Sequence, residues 1–330
     1  MRTQWIDFQS PLADGMRAFL AHKRAMGRSF WTEEQALRLL DRYLVDHDLS
    51  TLDAITGPLL NTFLTSRPRS RPRSYNHLLG VVHRLFAWLV SQGRLEHNPV
   101  QLRPRRATSQ RRPFLFDTPL IERLLDVASR LPDTSNALQR GTIYPMVFIL
   151  LYGLGLRVGE VCRLHRIDVD LERQLLIIRH TKFSKSRLVP FGPRLAERLT
   201  AYLHQCEQRR GPLGDDDPVF SFGRNRFVNP GTISQTFHHL LPCLGVELPP
   251  GGASPRVHDL RHSFALNTLL RWYRSGIDPA TRLIYLSTFL GHVNPMSTAV
   301  YLTITTELLE QASQRFERFA VPLLTEGDGL

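Results

Sequence analysis

The 330-residue chain has few cysteines, few lysines and no long apolar run, and each shortage excludes something. Its three cysteines, Cys162, Cys206 and Cys243, stand far apart without a CxxC pair. They encode neither a disulfide framework nor a zinc-site spacing. The longest apolar stretch, Pro145 to Leu156, is 12 residues with two glycines, too short to cross a bilayer. The opening MRTQWIDFQS lacks the apolar region of a secretory leader. The expectation is a soluble, cytoplasmic protein. Hydrophobic residues at 42% suffice for a core, so wholesale disorder is excluded. At usual domain sizes the length suggests two domains or one large one.

Acidic charge is also in short supply. Lys+Arg total 42 against 30 Asp+Glu, a net charge of +12. Such a chain attracts polyanions by counterion release, nucleic acid first among them. The surplus is shared, with 16 cations against 9 acids over residues 1–110 and 26 against 21 over the rest. Lysine stands only at Lys23, Lys182 and Lys185, and every other cation is arginine. Arginine cannot give up a proton near neutrality and lysine can, so each lysine invites a question about chemistry.

Apolar periodicity predicts an all-α first hundred residues, with helices over 11–26, 33–44, 50–64 (capped by Ser50 or Thr51) and 74–92 (capped by Ser74). Two arginine-rich stretches interrupt it. Arg67, Arg69, Arg71 and Arg73 precede the fourth helix; Arg103, Arg105, Arg106, Arg111 and Arg112 lie among Pro99, Pro104 and Pro113. The second stretch reads as a linker, dividing the chain into a helical part over 1–102, a basic linker over 103–114 and a mixed part over 115–330. Beyond the linker the pattern is mixed. It predicts helices over 117–131, 141–156, 192–208, 229–243, 257–270, 279–290 and 305–319, with short strands over 174–179 and 187–191. The expected fold class is mainly α with a small β-sheet: an α+β second domain preceded by an all-α helical bundle.

Four segments carry candidate chemistry. Gly153-Leu154-Gly155-Leu156-Arg157-Val158-Gly159-Glu160 sets an arginine after a buried helix, and no strand precedes it as a dinucleotide fingerprint would need. Thr181 to Pro190 is a hairpin holding Lys182 and Lys185. Val257-His258-Asp259-Leu260-Arg261-His262-Ser263-Phe264-Ala265 puts two histidines four apart. A zinc-peptidase reading of that pair is weak, because Asp259 replaces the required Glu and Arg261 would set a cation beside the metal. Leu290-Gly291-His292 is followed by Thr298 and Tyr301. Cutting a phosphodiester without metal requires a nucleophile, cationic clamps on the phosphate oxygens and an acid for the leaving group. Arg157 and Arg261 can supply bidentate phosphate contacts.

In this order the segments resemble the tyrosine recombinase (phage-integrase-type) family. The matching pieces are Arg in G-L-R-x-x-E, Lys in a hairpin, H-x-x-R-H-S-F-A, and L-G-H followed by Tyr nine residues after the His, over about residues 115–320. The resemblance implies Tyr301 as nucleophile forming a 3′-phosphotyrosyl bond, Arg157, Arg261 and His292 on the phosphate, His258 as base and Lys182 as acid, with Lys185 the second choice. Glu160 orients the arginines. No metal and no cofactor is implied. The implied partner is double-stranded DNA, contacted by the arginines of both basic stretches and bound by a homo-oligomer, a tetramer on two sites. The 31 residues from Arg261 to His292 exceed those of compact integrases and resemble most the recombinases carried by transposons. Tyr273 and Tyr285 in that segment are expected in the core. The alternatives are a type IB topoisomerase-like enzyme, against which His258 argues because that class tends to carry lysine there, and a catalytically silent DNA-binding regulator on the same fold.

Overall fold

The computed structural model describes residues 7–27, 30–66, 72–106, 113–179, 186–223, 225–246, 254–292, 294, 296–299 and 301. The chain divides into two compact units, Met1–Gln110 and Arg111–Leu330. The predicted helix over 305–319 lies outside the described residues.

Among the described residues, the first unit is four helices: α1 (Ala13–Ala25), α2 (Trp31–Val45), α3 (Gly57–Ser66) and α4 (Pro72–Ser91). Each turns one apolar stripe inward, so that Met16, Phe19, Leu37, Leu40, Phe63, Leu78, Val82 and Phe86 form a single core. The buried Asp41 carboxylate accepts the backbone N–H groups of Gln9 and Ser10, the latter at 2.9 Å, and ties down the segment entering α1. Two predicted starts are corrected. The third helix begins at Gly57 rather than near Ser50. Pro58 has no N–H to give to a preceding turn, so a helix from Ser50 cannot run through it, and the helix starts with Pro58 in its first turn. The fourth begins at Pro72, before Ser74, because proline is pre-set for a first helical turn.

The second unit is built on α6 (Arg140–Gly153), apolar on nearly every face, with Ile143, Tyr144, Val147, Phe148, Leu150 and Leu151 buried. Against it pack α5 (Thr118–Ser129), capped by Asp117 accepting the Leu120 N–H at 2.9 Å, and α8 (Pro193–Arg210). A one-turn α7 (Val158–Val161) leads to an antiparallel sheet, β1 (Val169–Asp170), β2 (Leu175–Ile178) and β3 (Arg187–Pro190), in that order. Register pairs Leu176 with Val189 and Ile178 with Arg187. Then follow α9 (Pro230–Leu240), α10 (Asp259–Arg274), α11 (Pro279–Leu290) and α12 (Met296–Ala299). Leu266, Leu269, Leu286, Leu290 and Tyr301 make a smaller core between α10, α11 and the segment after α12. The fold is therefore mainly α with a small sheet. β1, α7 and α12 were absent from the sequence reading because two to four residues are too few to show a period. No described helix is long and apolar enough to cross a membrane.

Candidate active site

Glu160 is the hub of the site. It lies on α7, buried, and both its oxygens are engaged. Arg157, the residue that opens α7, gives its backbone N–H to Oε2 at 2.9 Å and its Nη1 to Oε1 at 2.7 Å. Arg187 on β3 forks onto the same carboxylate, with Nη1 and Nη2 each 2.9 Å from one oxygen. Burial alone would push the carboxyl up; the Arg187 fork and then Arg157 outweigh it and bring it down to about 2. Each arginine also reaches the segment that ends α11. Arg157 Nη2 donates to the Gly291 carbonyl at 2.9 Å, and Arg187 Nε to the Phe289 carbonyl at 2.9 Å. Gly291 itself is left-handed, at φ +67°, and a Cβ there would lie 2.8 Å from Arg187 Nη1. Glycine is what lets the chain turn over the guanidinium.

Arg261, on α10, is held differently. Its side chain is 1% exposed and meets carbonyls: Nη1 donates to Gly155 at 2.5 Å and Nη2 to Leu290 at 2.6 Å. Nε has no partner among the described residues, and no carboxylate pairs the charge. Burial, reinforced by Arg157, lowers this guanidinium to about 9. A buried cation without a counter-ion is costly. Here three guanidiniums, Arg157, Arg187 and Arg261, crowd one carboxylate, which bonds only the first two. The surplus of positive charge is what an anion site requires.

The two implied histidines and the tyrosine complete the cluster. His292 follows Gly291, and its Nδ1 is 2.6 Å from the hydroxyl of the buried Thr298 on α12. Burial and then Arg261 and Arg157 push His292 down to about 4. Tyr301 is 3% exposed, with its hydroxyl 2.6 Å from His262 Nδ1. Burial raises the phenol above its usual value of 10, while Arg261 and Arg157 pull it back. His258 is exposed at the start of α10; its ring meets that of His262 edge-on, centroids 4.7 Å apart. Crowding by protein and neighbouring cations lowers it.

Of the residues singled out from the sequence, the structure therefore gathers Arg157, Glu160, His258, Arg261, His292 and Tyr301. Lys182, like Lys185, lies outside the described residues, as do Arg67, Arg69, Arg71, Arg111 and Arg112. Arg73, Arg105 and Arg106 are exposed on the first unit. Arg105 is fixed there, its backbone N–H and carbonyl both bonded to the Asn76 side chain at 2.7 and 2.8 Å and its guanidinium 3.9 Å over the Tyr75 ring. One expectation fails: Tyr285 is 69% exposed rather than in the core, because it falls on the outward face of α11, whereas Tyr273 packs on the smaller core. Among the described residues no three His, Cys, Asp or Glu are placed to hold a metal ion. Sequence reasoning missed Arg187, His262 and Thr298. Arg187 had a signal, since it shares the inward parity of Val189 along β3, where a cation needs a buried partner.

Comparison with known proteins places these motifs in context. A profile described as "Phage integrase family" matches residues 120–307. The chain is 36% identical over 296 residues to the putative integrase/recombinase y4rB of Sinorhizobium fredii, covering 86% of this chain and 91% of the relative. It is 36% identical over 171 residues to tyrosine recombinase XerA of Thermococcus onnurineus, covering 52% and 54%. Among solved structures it resembles the Tn1549 transposon integrase in complex with a circular intermediate DNA, at TM-score 0.64 and 15% identity over 94% of this chain and 100% of that one. It also resembles a lambda integrase tetramer bound to a Holliday junction, at TM-score 0.60 and 18% identity over 88% and 79%. At those identities the likeness is one of fold.

Proposed function

The chain belongs to the phage integrase family of tyrosine recombinases, a class of DNA strand-cleaving and rejoining enzymes, and from that premise we propose how its residues divide the work. Tyr301 attacks the scissile phosphate of double-stranded DNA and leaves a 3′-phosphotyrosyl bond and a free 5′-hydroxyl. Arg157 and Arg261 face the charge that builds on the non-bridging oxygens, and His292 adds a further contact. The observation that carries this reading is Arg261: buried, bonded to no carboxylate among the described residues, its two Nη groups held by the carbonyls of Gly155 and Leu290. Five donors sit on one guanidinium, and two bonds fix its orientation without exhausting them. Glu160 is a positioning residue, holding the Arg157 guanidinium through one oxygen and that of Arg187 through both.

On sequence grounds Lys182 is the acid that protonates the departing 5′-oxygen, and His258 assists at the mouth of the site. The covalent bond conserves the energy of the one it replaces, so a 5′-hydroxyl from another strand can attack it without ATP. The names of the relatives support recombination over the topoisomerase-like and silent-regulator alternatives. We further propose a two-domain arrangement of helical DNA-binding bundle over 1–102, basic linker over 103–114 and catalytic domain over 115–330. In it Arg67, Arg69, Arg71, Arg73, Arg105, Arg106, Arg111 and Arg112 contact phosphates, the enzyme works as a homo-oligomer on two DNA sites, and it resides in the cytoplasm with the nucleoid. The test is cleavage of DNA in excess EDTA. Wild-type chain is expected to cut and Arg261→Ala to bind but not cut. Activity that requires added metal at the chemical step would overturn the arginine-clamp reading.

A further inference from the structure

One ring nitrogen of His292 is already taken. Its Nδ1 lies 2.6 Å from the hydroxyl of Thr298, which sits on α12 with no exposed surface. The backbone around His292 is fixed separately. Its N–H donates to the Ser287 carbonyl at 2.9 Å, and the preceding carbonyl, of Gly291, accepts Arg157 Nη2 at 2.9 Å. Those bonds set where the residue starts but leave its side chain free to turn. Among the described residues, Thr298 makes the hydrogen bond that stops the ring.

The same bond decides which nitrogen is a donor. Burial, and then Arg261 and Arg157, lower His292 to about 4, so near neutral pH the ring carries one proton. Its place is set by the partner of the other nitrogen. Two arrangements fit the contact. In the first, the Thr298 hydroxyl donates to Nδ1 and the ring proton stands on Nε2. In the second, Nδ1–H donates to the hydroxyl, whose own proton then needs a further acceptor. Among the described residues the Thr298 hydroxyl has no partner but Nδ1, and a buried O–H left without an acceptor is costly. The second arrangement would also offer the Nε2 lone pair, not an N–H, to an oxyanion. Burial of the hydroxyl and the charge of the phosphate select the same tautomer.

We infer that Thr298 is a positioning residue for strand cleavage: its hydroxyl donates to Nδ1 of His292, keeps the ring proton on Nε2, and so presents an N–H to a non-bridging oxygen of the scissile phosphate. This rests on the reading of His292 as a phosphate contact. Tyr301 follows Thr298 closely in sequence, so the short α12 supports the phosphate donor on the way to the nucleophile. A role for Thr298 in placing Tyr301 instead is the rival that the experiment must separate.

The experiment uses the full chain and nicked suicide duplexes selected from a random pool by covalent trapping on the wild-type protein. Ring nitrogen shifts of His292 at neutral pH are read by long-range proton–nitrogen NMR. Single-turnover adduct formation and DNA binding are measured for wild type, Thr298→Val, Thr298→Ser, His292→Ala and the double variant Thr298→Val with His292→Ala. Valine keeps the shape of threonine and removes the hydroxyl. The wild-type ring should show its proton on Nε2, and Thr298→Val should shift it toward a mixture. The rate should fall about 10–100-fold in Thr298→Val, the usual effect of removing the partner that orients a functional histidine, with DNA binding unchanged. Thr298→Ser, which keeps the hydroxyl, should stay close to wild type. In the double variant the valine should add nothing to the loss from His292→Ala, because the two residues act as one unit. A wild-type ring protonated on Nδ1, or a Thr298→Val chain that cuts at the wild-type rate, would overturn the inference. A further loss on top of His292→Ala would overturn it too, moving Thr298 to the support of Tyr301. Should Thr298→Val melt early, the wild-type tautomer and the serine variant decide. His292→Ala is the control on the premise: if that chain cuts as fast as wild type, the phosphate role of His292 has failed, whatever the Thr298 variants do.

Discussion

Replacing Arg187 by alanine removes both hydrogen bonds of its fork on Glu160 and the one to the Phe289 carbonyl. The two side chains are 10% and 3% exposed, so solvent does little to compensate. Breaking a buried pair by deleting one partner costs about 3–5 kcal/mol. Arg157 still holds Glu160 by two bonds, which sets the expected loss at the low end, about 3 kcal/mol. A second route agrees. Lowering the carboxyl from 4.5 to about 2 corresponds to about 3 kcal/mol at ~1.36 kcal/mol for each tenfold change in proton affinity. That figure is what remains after burial has opposed it, so the contributions of Arg187 and Arg157 together exceed it. The sign follows from the lowered value: the stabilisation is complete above pH 4.5 and is lost as pH falls toward 2. For a unit of this size the Tm should fall by roughly 6–12 °C. The assay is denaturation of Arg187→Ala, Glu160→Gln and the double variant by tryptophan fluorescence. The double variant should lose less than the sum of the singles by at least about 1 kcal/mol. Glu160→Gln should also lose the part of the acid sensitivity that falls between pH 4.5 and 2. Additive losses, or an acid limb unchanged in Glu160→Gln, would refute the pairing as the cause.

Other expectations follow from the same geometry. Gly291→Ala should cost stability and cleavage together, since φ +67° is unfavourable for alanine and its Cβ would lie 2.8 Å from Arg187 Nη1; a fully active, equally stable variant would show that the turn relaxes freely. His292 should titrate near 4 rather than 6.5 in the free protein, followed by ring proton NMR. Its folded value is lowered, so stability falls as pH drops from 6.5 toward 4, and occupation of the site by an oxyanion such as vanadate should raise it; an ordinary titration in both states would contradict the crowded-cation picture. Lys182→Ala and Lys182→Arg should cut about 10²–10⁴-fold more slowly and be restored by sulfur at the bridging 5′ position. Restoration of Lys185→Ala instead would move the acid three residues along the hairpin.

Much of this site was legible because its pieces are local motifs. Arg157 with Glu160, His258 with Arg261, and His292 with Tyr301 each sit within one short segment, and their order along the chain carried the resemblance. What was not legible is what the tertiary fold alone creates. Arg187 looked like one more cation in a basic hairpin until β3 turned it inward to Glu160, 27 residues away in sequence. His262 reads in the sequence only as half of a histidine pair four residues apart, since nothing there places it beside a tyrosine 39 residues downstream. The helices of both units followed from apolar periodicity, with errors where proline sets the start, at Pro58 and Pro72. Tyr285 was misplaced because an aromatic in an apolar helix suggests burial, and the stripe of α11 that faces the core, Leu286 and Leu290, leaves Tyr285 on the other side.

The reading of Tyr301 as nucleophile makes its hydroxyl oxygen the atom bonded to DNA. The measurement that meets it directly is peptide mapping by mass spectrometry of the trapped protein–DNA adduct after nuclease digestion. The expected result is a single modified peptide carrying a 3′-phosphonucleotide on Tyr301, and no adduct from Tyr301→Phe, which should bind the same duplex as tightly as wild type. A nucleotide on another residue, with the exposed Tyr285 the first to inspect, or an adduct that survives in Tyr301→Phe, would contradict it.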